Sequence, residues 1–137
     1  MPVGVVRRDA ATAEFFAGTE HGELLLRRCA DCGQLSRPQA RSCGWCQSAD
    51  LSWAAATGTG TVVSWSVVHG RPADGDHPAD GDPPPRVVVA IVELTEGPWL
   101  HAQLVGVDPG AVTGGQRVIV AFEQPGGGEA IPVFRPA

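Results

Sequence analysis

Neither lysine nor tyrosine occurs among the 137 residues, and aromatic side chains make up only 6% of them. All ten basic residues are therefore arginine, which we read first as genome-composition bias and only second as a demand for guanidinium chemistry. Nowhere do eighteen apolar residues run together, so no membrane-crossing helix is expected. Met1 to Arg8 is short and ends in charge, unlike a secretory leader. A cytoplasmic location follows as the expectation. Catalytic signatures are missing too: there is no G-x-S-x-G, no phosphate-cradling Gly loop and no H-E-x-x-H. The histidines, His21, His69, His77 and His101, are scattered, and none has a cysteine or carboxylate at suggestive spacing. No activity of the chain alone is expected.

What the chain has in abundance is turn chemistry, with 18 Gly and 12 Pro. That favours short strands joined by turns over long helices, and a mostly β fold. Charge is uneven. Residues 1–41 hold six Arg against five acids, whereas residues 42–137 hold four Arg against ten acids.

The basic end is also the cysteine end. Cys29, Cys32, Cys43 and Cys46 form the pattern C-x2-C, ten residues, C-x2-C. Each C-x-x-C pair can fold as a tight knuckle whose thiolates converge, and ten residues suffice for a hairpin that sets the second knuckle opposite the first. Gly33 after the first pair and Gly44 inside the second supply backbone freedom there. Four sulfurs at the corners of a tetrahedron suit a structural Zn2+, with iron the alternative for the same ligands. Two disulfides need an oxidising compartment that nothing here implies, and a redox C-x-x-C is not expected in duplicate without a thioredoxin-like pattern. Four thiolates leave no open position for water or substrate, so the expected site is closed. Arg27, Arg28, Arg37 and Arg41 flank it, placed to offset its negative charge and donate to sulfur. Some of them, Arg28, Arg37 and Arg41, are also candidates for contact with a partner or a phosphate.

Before the cysteines, "DAATAEFFAGTEHGELLLRRC" reads as a short helix and then a strand. Asp9 or Thr12 is the N-cap, and Gly18 and Gly22 mark weakening and termination. Phe15 and Phe16 lie on adjacent faces, so at least one is expected to pack under another module or face a partner. After the cysteines, five strands are expected at about Leu51–Ala56, Gly60–His69, Arg86–Leu94, Trp99–Val107 and Arg117–Glu123. They suit a small closed barrel of the OB type, and the tail "AIPVFRPA" adds an edge pairing. In "VVSWSVVH", Val62, Ser64, Ser66 and Val68 alternate with Val63, Trp65, Val67 and His69, giving one mixed and one apolar face. Between the second and third strands "PADGD" occurs twice, six residues apart. It lacks the order and closing Glu of a calcium loop and reads as a solvated loop.

The stretches "FFAGTEHGELLLRRC" and "CADCGQLSRPQARSCGWC" resemble a family long catalogued as a domain of unknown function and associated with acyl-CoA metabolism. Its marks here are an aromatic pair, Gly and Gly-x-Leu before the first cysteine, then C-x-x-C-G, a proline, an Arg and C-x-x-C. Only half of the usual Pro pair near position 38 is present, and Gly44, beside Trp45, replaces the proline after the third cysteine. The resemblance implies an N-terminal helix, a rubredoxin-like zinc ribbon and a C-terminal five-stranded OB-fold barrel, with boundaries near 1–22, 23–50 and 51–137. It also implies a non-catalytic companion of thiolase-superfamily or lipid-transfer-protein-like enzymes, including the aldolases of steroid side-chain degradation. A hetero-oligomer follows, with acyl-CoA or an acyl-CoA hydratase domain nearby and the catalytic residues on the other chain. Phe15, Phe16 and Trp45 are the candidate partner anchors.

Single-stranded nucleic-acid binding is the competing expectation, because a zinc ribbon with an OB barrel also serves that purpose. Against it, residues 42–137 carry a net charge of −6, whereas backbone tracking wants a positive groove with stacking aromatics. A free-standing hydrolase or lyase finds no residue set to support it.

Overall fold

The computed structural model describes residues 5–69 and 86–137. The repeated "PADGD" segment, with His77 and the calcium-loop question, lies outside them.

Among the described residues one α-helix, α1 (Ala13–Glu20), precedes eight strands. Its start uses both predicted capping residues. Thr12 occupies the cap position, and the Asp9 carboxylate accepts from the Thr12 backbone N–H at 2.9 Å. Gly22, at φ 77°, lets the chain leave the helix. The helix continues through Gly18 to Glu20. A Cβ at Gly18 would meet the Leu25 side chain at 2.6 Å, so the missing side chain is what allows the helix to lie against the next strand.

Three strands form the first sheet: β1 (Leu25–Cys29), β2 (Leu35–Ser36) and β3 (Leu51–Ala55), in the order β2-β1-β3. The remaining five form a closed barrel: β4 (Thr59–His69), β5 (Arg86–Leu94), β6 (Trp99–Leu104), β7 (Arg117–Glu123) and β8 (Ile131–Pro136), in the order β4-β5-β6-β8-β7. The closing contact between β6 and β8 is parallel, at Leu104 and Phe134. This is the five-stranded OB arrangement.

Two sequence-based expectations change. The Leu51 strand was expected to open the barrel, but it pairs with β1 over its whole length, from Leu25 opposite Ala55 to Cys29 opposite Leu51. The tail was expected only to add an edge, but β8 runs antiparallel to β7 over six residue pairs and supplies the fifth barrel strand. Its Phe134 is fully buried. Strand count alone is blind to this exchange, because both segments have strand-like composition and only pairing partners decide membership.

One apolar core joins both sheets. Leu24 and Leu26 belong to the same buried cluster as Val62, Val88, Val92, Leu94, Val118 and Phe134. The ribbon is thus seated on the barrel by side chains of its first strand. At the opposite surface Arg8 makes a bidentate pair with Glu129, at 2.7 and 2.8 Å, tying the amino-terminal segment to the turn before β8.

In β4 a bulge lies between Val62 and Ser64, which pair with Val92 and Ile91. It shifts the alternation by one. Val62 therefore shares the inward face with Trp65 and Val67, opposite the buried Val92, Ala90 and Val88, rather than with Ser64 and Ser66.

Candidate metal centre and the adjoining groove

Cys29 ends β1, and its backbone N–H donates to the Gln34 carbonyl at 2.9 Å, closing the hairpin to β2. The second knuckle repeats the device, with the Cys43 N–H donating to the Ser48 carbonyl at 2.8 Å. In both, the residue after the second cysteine turns back: Gly33 N–H donates to Cys29 O at 2.9 Å and Gln47 N–H to Cys43 O at 3.0 Å. Both residues are left-handed, Gly33 at φ 76° and Gln47 at φ 64°. Gln47 is the only non-glycine residue with positive φ among the described residues. It accepts a strain that glycine avoids.

The four sulfurs lie within 4.8 Å of one another. Two contacts, Cys29 to Cys46 and Cys32 to Cys43, are 3.5 Å, close to the roughly 3.8 Å edge of a tetrahedron with metal–sulfur bonds of about 2.3 Å. Cys29 and Cys43 are buried while Cys32 and Cys46 reach the surface. Backbone N–H groups aim at the buried pair: Cys32 donates to Cys29 Sγ at 3.4 Å, and Trp45 and Cys46 donate to Cys43 Sγ at 3.3 and 3.5 Å.

The thiol acidities follow. The Cys46 N–H, then that of Trp45, brings Cys43 down to about 6, and the Cys32 N–H lowers Cys29. Their sulfur neighbours move the other way. At Cys32 the Gln34 N–H pulls downward, yet burial and the thiol of Cys43 push the group up to about 12. At Cys46 the Ser48 N–H is outweighed by Cys29 and by burial. Each close pair thus joins one readily ionised thiol to one that holds its proton, and a cation among the four displaces the protons. The donor set, its spacing and its N–H groups fit a structural metal bound by four thiolates.

Among the described residues no arginine donates to sulfur. Arg27 lies 4.2 Å over the Trp53 ring and donates to the Leu51 carbonyl at 3.2 Å, so it braces β1 against β3. Arg28 is exposed on β1. The donors to sulfur that the structure shows are backbone N–H groups.

Phe15 and Phe16 contact each other edge to face, with centroids 5.3 Å apart. Phe16 is 8% exposed and Phe15 is partly buried against the common core. As a partner anchor Phe16 is therefore corrected, because its ring already packs inside the chain. Trp45, at the tip of the second knuckle, is 74% exposed. It lines a groove of about 810 Å³ between the ribbon and the turn from β5 to β6, together with Arg37, Arg41, Glu96 and Trp99. Trp99 is also exposed, its indole N–H donating to the Glu93 carboxylate at 2.8 Å. The sequence reading did not couple Trp99 to Trp45. The only local signal is Gly97-Pro98 before it, a turn that sets the ring at the start of β6. His21, His69 and His101 stay exposed and apart.

A thiolate-bound ribbon seated on a closed five-stranded barrel is an architecture for holding surfaces at a fixed angle. Residues 53–123 match the family model described as the ChsH2 C-terminal OB-fold domain, and the chain belongs to that family. It is similar to a probable enoyl-CoA hydratase alpha subunit of Thermomonospora curvata, 38% identical over 99% of this chain and 40% of that protein. The chain thus spans less than half the length of that relative. A DUF35 domain-containing scaffold protein of Methanocaldococcus jannaschii is 32% identical over 74% of this chain and 68% of that one. Among solved structures, a chain of an Ltp2-ChsH2(DUF35) aldolase is 36% identical, with a TM-score of 0.76 over 94% of this chain and 96% of its own length. No helix among the described residues is long and apolar enough to cross a membrane.

Proposed function

We propose that this chain is a non-catalytic partner subunit of a thiolase-like acyl-CoA enzyme, an aldolase or a thiolase, in a hetero-oligomer. The observation that carries the reading is the near end-to-end likeness to a chain of an aldolase complex. A relative described as a scaffold protein supports the same role. The metal is Zn2+, whose tetrahedral preference suits four thiolates and whose lack of redox chemistry suits a brace. The complex works in the cytoplasm on an acyl-CoA, with a steroid side-chain ester as the finer assignment from the sequence resemblance.

The partner contacts the groove between ribbon and barrel. Trp45 is large, exposed and fixed in place by the knuckle that carries it, which lowers the entropy lost on docking. Arg37 and Arg41 on the same wall suit an acidic surface or the phosphates of CoA. Phe15 contributes a partly covered flank, and Arg28 lies on the ribbon strand as a further cationic contact.

The test is co-expression with a thiolase-like acyl-CoA enzyme from the same organism, followed by size-exclusion chromatography and mass spectrometry. A stable hetero-oligomer is expected. Trp45→Ala should weaken it by about thirtyfold, in the range of an interface anchor, with no change in metal content. A chain that elutes alone and unshifted overturns the reading.

A further inference from the structure

The barrel closes along only part of β4. Its Thr59, Gly60 and Thr61 pair with β7, and Val62 exchanges bonds with Gln116 and Gly115. From Val63 to His69 the strand pairs with β5 on one side, and no described residue adds backbone bonds on the other. The side chains there are open as well, with Val63 and Trp65 each 38% exposed and Val68 50%. Free strand edges are ordinarily blunted by lysine, proline or inward charge. Residues 63–69 contain none of these, and the bulge at Val63 marks where the free stretch begins.

Within that free stretch residues 63–67 read V-S-W-S-V, identical in both directions about Trp65. In an antiparallel pair directly opposed residues share a face. A copy of this strand turned about a two-fold axis at Trp65 therefore sets Ser64 against Ser66, Val63 against Val67, and Trp65 against itself. Charge favours the same occupant. The chain carries a net charge of −5, so its surfaces repel their copies except where they are uncharged, and this edge carries no charge.

We infer that two copies of this chain join edge to edge through β4, antiparallel about an axis at Trp65. The five residues that can pair about that axis span roughly 17 Å at ~3.3 Å per residue. That contact falls below the size of a standard permanent interface, so the dimer is reversible. It is separate from the groove assigned to the enzyme partner and stands whether or not that assignment does.

Sedimentation equilibrium of the full chain, from low micromolar to near-millimolar concentration, measures the association. Two double variants fix the register. Ser64→Lys with Ser66→Lys sets cations opposite cations in the dimer and should weaken it by about tenfold or more, a cost of ~1.4 kcal/mol. Ser64→Lys with Ser66→Glu sets opposite charges together and should keep it. Ser64 and Ser66 are both exposed, so the melting temperatures should match the parent's. If one variant misfolds, Ser64→Glu with Ser66→Lys repeats the complementary arrangement with its signs exchanged. A chain monomeric at every concentration overturns the inference. So do two double variants that associate equally well.

Discussion

The ribbon and the barrel are held together by different physics, although one apolar cluster runs through both. Between Cys29 and Cys46 the fully buried side chains are Cys29 and Cys43, and a loop of that length has little apolar surface to hide. The barrel instead closes over Val62, Ala90, Val92, Val118, Val133 and Phe134, each at most 2% exposed. The part of the molecule with the least core of its own carries the most exposed large apolar side chain among the described residues, Trp45. A metal can fix a surface residue where packing cannot, because its bonds are short and directional and need no surrounding interior.

The largest way to break this difference is at the metal. Cys43→Ser should remove about one equivalent of metal and open the ribbon, since a structural site of this kind supplies on the order of 10 kcal/mol. Metal analysis and partner binding should fall together while β-sheet circular dichroism from the barrel persists. Activity loss in a complex that stays assembled contradicts the bracing role.

Next in size is Phe134→Ala, expected to destabilise the barrel by about 3–5 kcal/mol through loss of burial and a cavity. Thermal denaturation should report it, with the metal still bound in the folded protein. Loss of metal at temperatures where the barrel stays folded would show that the two parts are less separable than their cores indicate.

A smaller effect sharpens the contrast within the ribbon. Gln47→Gly relieves a left-handed residue at the position where the first knuckle already has Gly33, worth about 1 kcal/mol, and the site should release metal to a chelator more slowly. Unchanged or faster release counts against strain at Gln47.

The smallest effect is at the surface. The Arg8 guanidinium holds the Glu129 carboxyl below its ordinary value, so the pair adds stability above the usual carboxylate range and loses it as pH falls through the lowered value. Glu129→Gln should flatten the acid limb of a stability-against-pH curve. A curve identical to the parent's removes the pair from the account.

Much of this was legible in the residues. The C-x2-C spacing is a local code, because two thiolates three positions apart converge whatever surrounds them, and the four ligands follow from counting. The helix start at Asp9 and Thr12, its end at Gly22, and the strands of the barrel are likewise written in short-range preferences. What was illegible depends on partners distant in the chain. Leu51–Ala55 and Ile131–Pro136 look alike as strands, yet one pairs with β1 and the other completes the barrel. Arg27 looks like a counter-charge for sulfur until Trp53 is folded beneath it. Phe16 looks like an anchor until the core covers it.

The sequence by itself determined the metal donors, the mostly β character and the self-matching V-S-W-S-V stretch about Trp65, each a property of adjacent residues and their spacing. Tertiary structure alone decided which strand closes the barrel, that the bulge at Val63 moves Val62 onto the face of Trp65 and Val67, and which two tryptophans share a groove. Those depend on contacts between residues tens of positions apart, whose free energy exists only once the chain has folded.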